Sequence, residues 1–436
     1  MIRRKALSVA CLCFLACCLL FQITRVHGDA AKPPTPPRPQ PAQIMVDIYD
    51  TPISVQAMDK YYLVYELYLT NFYNKAINLE SLQVHDKATG TPLVGFDKNS
   101  LKKIMRSSDG IATSDDSLIP SSDLKLVYLL VPFNSQSDIP KEIFHRLNFV
   151  KPGDGSHEEL DTLPLRVDRE SQAMLSPPVT GDYWVASNGL SNTSSHRLAH
   201  WIVNGQNYFA QRYAIDFVQL DLEGKTYKGN EYDNTSYYSY GKDVSSAARG
   251  TVVDLKNDLP DNVPHSGKQA SPQTAENIAG NYVVVELAKG IYAFYAHLKP
   301  GSIKVKVGEK INEGQKIAEI GNSGNSVEPH LHFHVVDRPA YLGGNGVPYT
   351  FTEFWVRPSE VAFNGSQKLY RFKNTSEGLK RYTNQLMIDD TVVKFSDDNR
   401  YSKEKAKAFS SDVLDSMNDE KANRPKYQNQ YQYQDD

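Results

Sequence analysis

Three histidines stand at alternate positions in the stretch PHLHFHVV: His330, His332 and His334. In an extended strand residues i, i+2 and i+4 face the same way, so the three imidazoles would share one face and Leu331, Phe333 and Val335 the other. Neutral imidazole is a common zinc ligand, and a catalytic zinc takes three protein ligands and keeps one position for water. An imidazole titrating near neutrality can also move protons beside such a centre. Two histidines two apart on a strand can thus supply one metal ligand and one neighbouring acid–base group, and alone the pair is a weak signal. Pro329 restricts Glu328 to an extended conformation, and the preceding GNSGNS supplies the Gly and Asn residues of a tight reversal, so the strand's start is locally specified. A cupin also uses an H-x-H pair but adds a glutamate a few residues later, and VVDRPAYLGGNG contains none.

Thiolates play no part in such a site. All four cysteines (Cys11, Cys13, Cys17 and Cys18) fall in the opening segment MIRRKALSVACLCFLACCLLFQITRVHGDA. That segment has the basic start, apolar run and polar end of a secretory signal peptide, expected over residues 1–28 with cleavage after Gly28. The mature chain would carry no disulfide, and its metal ligands must be His, Asp or Glu. A net charge of -3 over 436 residues gives no basic footprint, which argues against a nucleic-acid partner.

The elements that must position the histidines are strands. Residues 29–43 are a proline-rich linker. From 44 to 170, runs such as YYLVYELYLTN and LKLVYLLVPF alternate apolar positions between turn residues, which predicts an immunoglobulin-like β-sandwich. His85 and His145 are isolated there and read as surface or core histidines. Residues 175–363 form a second, all-β unit with short runs such as YAIDFVQL, NYVVVEL and IYAFYAHL. After 363 the composition shifts: 364–436 reads as a C-terminal extension, largely a disordered tail, with QLMIDDTVVKF as one last strand. The long polar segments 229–240 and 254–277 would wall a substrate groove, with His265 a mobile surface residue.

Residues 281–335 resemble the catalytic core of the lysostaphin-type zinc metallopeptidases, β-sheet peptidoglycan endopeptidases of duplicated hybrid motif fold. YAHL with His297, the hairpin VGEKINEGQKIAEIGNSG and PHLHFHV carry the resemblance, and RYAIDF upstream looks like the family's other metal-binding strand. The resemblance implies zinc as cofactor, Asp216 and His332 as metal ligands, and His330 and His297 as the groups that handle protons or stabilise the oxyanion. One departure matters: the family's first ligand lies four residues before the aspartate, where this chain has Arg212. The segment GDYWVASNGLSNTSSHR looks like a branch of the family in which a histidine precedes QRYAID, so His196 is the expected third metal ligand and His200 the second choice. His334 departs too, standing where an acidic residue is frequent, and is expected in the groove or at the surface.

The expectation is thus an all-β chain, a sandwich followed by an antiparallel sheet or barrel-like metallopeptidase domain. It would be an exported zinc metalloendopeptidase, secreted or periplasmic, cutting peptidoglycan cross-links or other peptides, with the sandwich a surface for a protein partner. The alternative from a different class is a catalytically degenerate cell-wall-binding or hydrolase-regulating module. A biotinyl or lipoyl carrier, suggested by the rhythm of VKVGEKINEGQKIAEIG, lacks the Met-Lys-Met or Asp-Lys-Ala turn it needs.

Overall fold

The computed structural model describes residues 42–108, 117–169, 172–364, 367–372 and 378–396. The expected export signal, the linker up to residue 41 and the tail beyond 396 lie outside the described residues. Within them the chain is nearly all β, with short helical turns only between strands.

The first strands build two sheets, one of five strands and one of six. Lys60–Asn71 pairs antiparallel with Leu124–Phe133 in the first, and Ile77–Asp86 with Glu142–Val150 in the second. One apolar cluster joins them: Leu63, Tyr65, Leu67 and Leu69 of the first sheet meet Leu79, Leu82, Val84 and Leu147 of the second. His145 lies inside this core, where its Nε2 and the Tyr65 hydroxyl are hydrogen-bonded at 2.9 Å. His85 stacks on Phe144 and bonds the Gly90 carbonyl through Nδ1 at 3.0 Å.

A strand with one solvated face should alternate buried and exposed residues, yet Leu63 to Leu69 are all buried. The second face of that strand is covered by the following domain. Val64 joins the core of the second domain, Tyr68 and Tyr128 pack with Phe209, and Glu66 is 3% exposed. Backbone and side-chain bonds reinforce the seam, from Leu386 N to the Gln56 carbonyl at 2.8 Å and from Asn207 Nδ2 to the Tyr68 hydroxyl at 2.7 Å.

The second domain is built on an eleven-stranded sheet, with three two-stranded ribbons beside it. At its centre the histidine strand Leu331–Val336 lies between Ile215–Gln219 and Ile291–Leu298, antiparallel to both. Leu331, Phe333 and Val335 face the main core with Ile215, Phe217 and Tyr295. This sheet does not end at residue 363. Thr391–Lys394 inserts between Trp184–Ser187 and Tyr349–Val356, and Lys380–Gln385 pairs with the latter. The expected boundary at 363 therefore moves to at least Lys394, because TVVK buries Val392 and Val393 between two long strands.

Candidate metal centre

Strand register does the first part of the work. Asp216 stands directly opposite His332, and opposed residues put their side chains on the same face. The result is a contact of 2.9 Å between His332 Nδ1 and Asp216 Oδ1. Both are buried, at 1% and 7% exposure. Burial depresses the His332 imidazole to a pKa of about 4, so the ring is neutral at working pH. For Asp216, burial alone would raise the pKa, yet the imidazoles of His196 and His330 hold its carboxyl well below the usual range.

The third donor comes from a loop. Ser195–Leu198 forms one helical turn whose Ser194 hydroxyl accepts from the Arg197 N–H at 3.2 Å. His196 on that turn donates Nδ1–H to the Asn188 carbonyl at 3.0 Å, which aims Nε2 at Asp216 Oδ2, 3.2 Å away. His196, Asp216 and His332 thus bring one donor atom each within 4.8 Å of one another. His200 is elsewhere: its Nε2 lies 2.8 Å from the Ser108 carbonyl and its Nδ1 3.4 Å from the Tyr128 hydroxyl. Arg212 also turns away, pairing with Glu66 and Asp50 at 2.7 Å each.

Two further imidazoles flank the trio. His330 precedes the strand and binds the Glu328 carbonyl through Nδ1 at 2.8 Å, leaving Nε2 3.4 Å from Asp216 Oδ1. Burial would lower its pKa, but the Asp216 carboxylate outweighs that and raises it. His297 sits where the pairing of Asn281–Ala288 with Ile291–Leu298 shifts register, at a φ of 60°. Such a bulge re-aims a side chain out of the regular alternation. Its Nδ1 meets the Ser323 carbonyl at 2.8 Å, and its ring centroid lies 4.8 Å from that of His330. Burial, with His330 next, drives the His297 pKa well down.

His334 is neither in the groove nor at the surface. It is fully buried, stacks on Phe294 with ring centroids 5.0 Å apart, and its Nδ1 lies 2.7 Å from His332 Nε2. It therefore orients His332 from behind, as the partner of a ligand imidazole's second nitrogen does. Asn188 went unnoticed in the sequence. Besides its carbonyl contact to His196, its Nδ2 donates to Asp216 Oδ2 at 2.9 Å, at a φ of 53° that asparagine tolerates better than most residues. An Asn-Gly pair after a strand was the available signal, and it reads as a plain turn. His265 is tied down, its Nε2 3.4 Å from Glu328 Oε2 and its N–H on the Val327 carbonyl at 3.1 Å.

The five groups open on a cleft of about 420 Å³, walled by Trp201, Ile278, Asn325, Glu328 and Tyr341 among others. Neither segment 229–240 nor segment 254–277, both expected as groove walls, contributes a lining residue; Ile278 follows directly on the second. A buried trio of two imidazoles and one carboxylate, with no lysine or arginine among the described lining residues, suits a zinc ion by its donor chemistry.

Residues 235–343 match the model of peptidase family M23. That span holds His297, His330 and His332, whereas His196 and Asp216 lie before it. The chain is 42% identical over 60 residues to the peptidoglycan DD-endopeptidase ShyA of Vibrio cholerae, covering 14% of each chain. It is 42% identical over 57 residues to an uncharacterized metalloprotease of Buchnera aphidicola, covering 13% of this chain and 15% of that one. The chain thus spans about a seventh of these curated relatives' length. Among solved structures, the catalytic domain of lysostaphin from Staphylococcus simulans aligns at 20% identity and a TM-score of 0.18, over 28% of this chain and 88% of that one. The catalytic domain of EnpA from Enterococcus faecalis aligns at 18% and 0.20, over 31% and 73%.

Proposed function

From the M23 peptidase domain at residues 235–343, we propose that this chain is an exported zinc metalloendopeptidase that hydrolyses peptide bonds in peptidoglycan cross-links. The observation that carries the reading is the convergence of His196, Asp216 and His332 at one wall of a cleft flanked by His330 and His297. Likeness to peptidoglycan DD-endopeptidases supports the substrate class, and the opening segment supports export.

His196, Asp216 and His332 would hold the ion. Zinc supplies polarisation of the scissile carbonyl and a lowered pKa for water. The two flanking imidazoles divide the proton handling. His297 donates Nδ1–H to the Ser323 carbonyl and its pKa is depressed, so its Nε2 presents a lone pair and serves as proton acceptor. His330 keeps its proton longer, because Asp216 raises its pKa, and its Nε2–H serves the oxyanion and then the leaving amine. Glu328 and Ser323 fix both tautomers through their carbonyls. Trp201 and Tyr341 at the cleft supply apolar surface against which a peptide can be held.

The test is the zinc content of the purified chain beside His196→Ala, with release of peptides from purified peptidoglycan measured on both. One zinc per parent chain, almost none in the variant and peptide release by the parent alone are expected. A parent that holds no zinc under conditions sparing weakly bound metal would turn the reading to the degenerate binding module.

A further inference from the structure

A metal ligand on a strand is held by its ladder, but His196 stands on a single helical turn in the connection between Trp184–Ser187 and Trp201–Val203. Besides the Ser194 cap and the Asn188 carbonyl, the adjacent Arg197, which is 1% exposed, ties that turn across the domain seam. Its Nη1 bonds Glu66 Oε1, and its Nη2 donates to the Tyr65 carbonyl at 2.9 Å. The same carboxylate takes Arg212 on its other side, through Nε at 3.1 Å and Nη2 at 2.7 Å. Arg212 in turn begins the short approach to Asp216, and its Nη2 also reaches Asp50 Oδ2 at 2.7 Å. Glu66, although burial alone would raise its pKa, is held below its ordinary value by the two guanidinium groups.

We infer that Glu66 of the sandwich domain is a positioning residue for the metal centre, fixing His196 through Arg197 and Asp216 through Arg212. The inference rests on the zinc reading above and goes beyond it, since it makes the first domain part of the site's construction. Two segments that carry two of the three donors converge on one buried carboxylate from another domain. Bidentate Arg–carboxylate pairing sets orientation as well as attraction. A buried carboxylate paired with two buried arginines cannot shift without leaving buried charge uncompensated. Arg212, at the place where the resembled family has a ligand, has become part of the clamp that lets a loop histidine take over.

The experiment is a Co2+ titration of the full chain, read by its visible absorption, which reports ligand number and geometry. Glu66→Gln is expected to bind Co2+ at least ~10-fold more weakly, the scale on which outer-shell partners act on metal affinity, with a weakened visible band. Glu66→Asp, which retains the charge, should recover part of both. Leu147→Ala, in the far sheet of the sandwich, should lower the unfolding temperature and leave the titration at the parental value. Parental affinity and spectrum in Glu66→Gln would overturn the inference and leave the zinc reading intact, whereas a parent that takes up no Co2+ would overturn both. Should Glu66→Gln not fold, Arg197→Gln, which leaves Glu66 paired with Arg212, decides: the same loss supports the clamp and parental affinity refutes it.

Discussion

Replacement of Gly280 by alanine should separate proton handling from metal binding. Gly280 has a φ of +66°, and a Cβ built on it would lie 2.4 Å from the Ser323 carbonyl oxygen and 2.5 Å from both its carbon and Oγ. The left-handed backbone alone costs an L-residue about 1–2 kcal/mol. The clash must then be relieved by moving the Ser323 carbonyl roughly 1 Å, to restore an ordinary carbon–oxygen contact of about 3.4 Å. That carbonyl orients His297, and Ser323 Oγ also bridges Asn281 N–H and the Leu298 carbonyl at 2.8 Å each. A displacement of ~1 Å at a reacting group can cost on the order of 100-fold in rate. His196, Asp216 and His332 hang on other elements, so zinc content should stay at the parental level. The assay is peptide release from peptidoglycan beside zinc stoichiometry and thermal unfolding. Activity within threefold of the parent in a folded, zinc-loaded Gly280→Ala chain would refute the role given to His297 and its carbonyl.

Three more outcomes are expected. His332→Ala and Asp216→Ala should lose zinc, whereas His330→Ala should keep it and lose activity by at least ~100-fold, the lower range for a lost acid–base group; metal analysis beside the activity assay checks both. His200→Ala should retain zinc and most activity, because its ring bonds Ser108 and Tyr128 outside the centre; loss of zinc would place it in the site. Burial, with His85 next, depresses the His145 pKa to about 3. The native state therefore binds fewer protons there than the unfolded chain. Its stability should be unaffected above pH ~6.5 and fall towards pH 3, by up to roughly 5 kcal/mol from this group. Denaturant unfolding against pH should show that slope in the parent and a shallower one in His145→Gln.

The histidine strand was legible because its chemistry and its fold share one signal, the alternation of His with Leu, Phe and Val. Asp216 was pointed to by the resemblance of RYAIDF to a metal-binding strand, and its place opposite His332 came only with the strand register. His196 was not readable from spacing, since nothing local relates it to Asp216. The turn that carries it is set by Glu66 in a different domain, and the segment's resemblance alone pointed to it. His297 was pointed to by the resemblance that YAHL carries, but its aim depends on a register shift that only strand pairing creates. His334 was misplaced because it shares the strand face of His330 and His332, whereas its ring fills the space between His332 and Phe294. The closing strands were underestimated because four residues, TVVK, carry little periodicity and their partner lies far back in the chain.

That last strand has a consequence for timing. Trp184–Ser187, the neighbour of the Asp216 strand, keeps one edge bare until Thr391–Lys394 arrives from roughly two hundred residues downstream, and contacts of such separation form late and slowly. A growing chain emerges from its amino end, so the sandwich can close while the sheet that backs the metal centre still lacks a central member. Assembly of the candidate centre would thereby wait until nearly all of the described chain has been made, and a metal ion would be taken up by a nearly complete molecule.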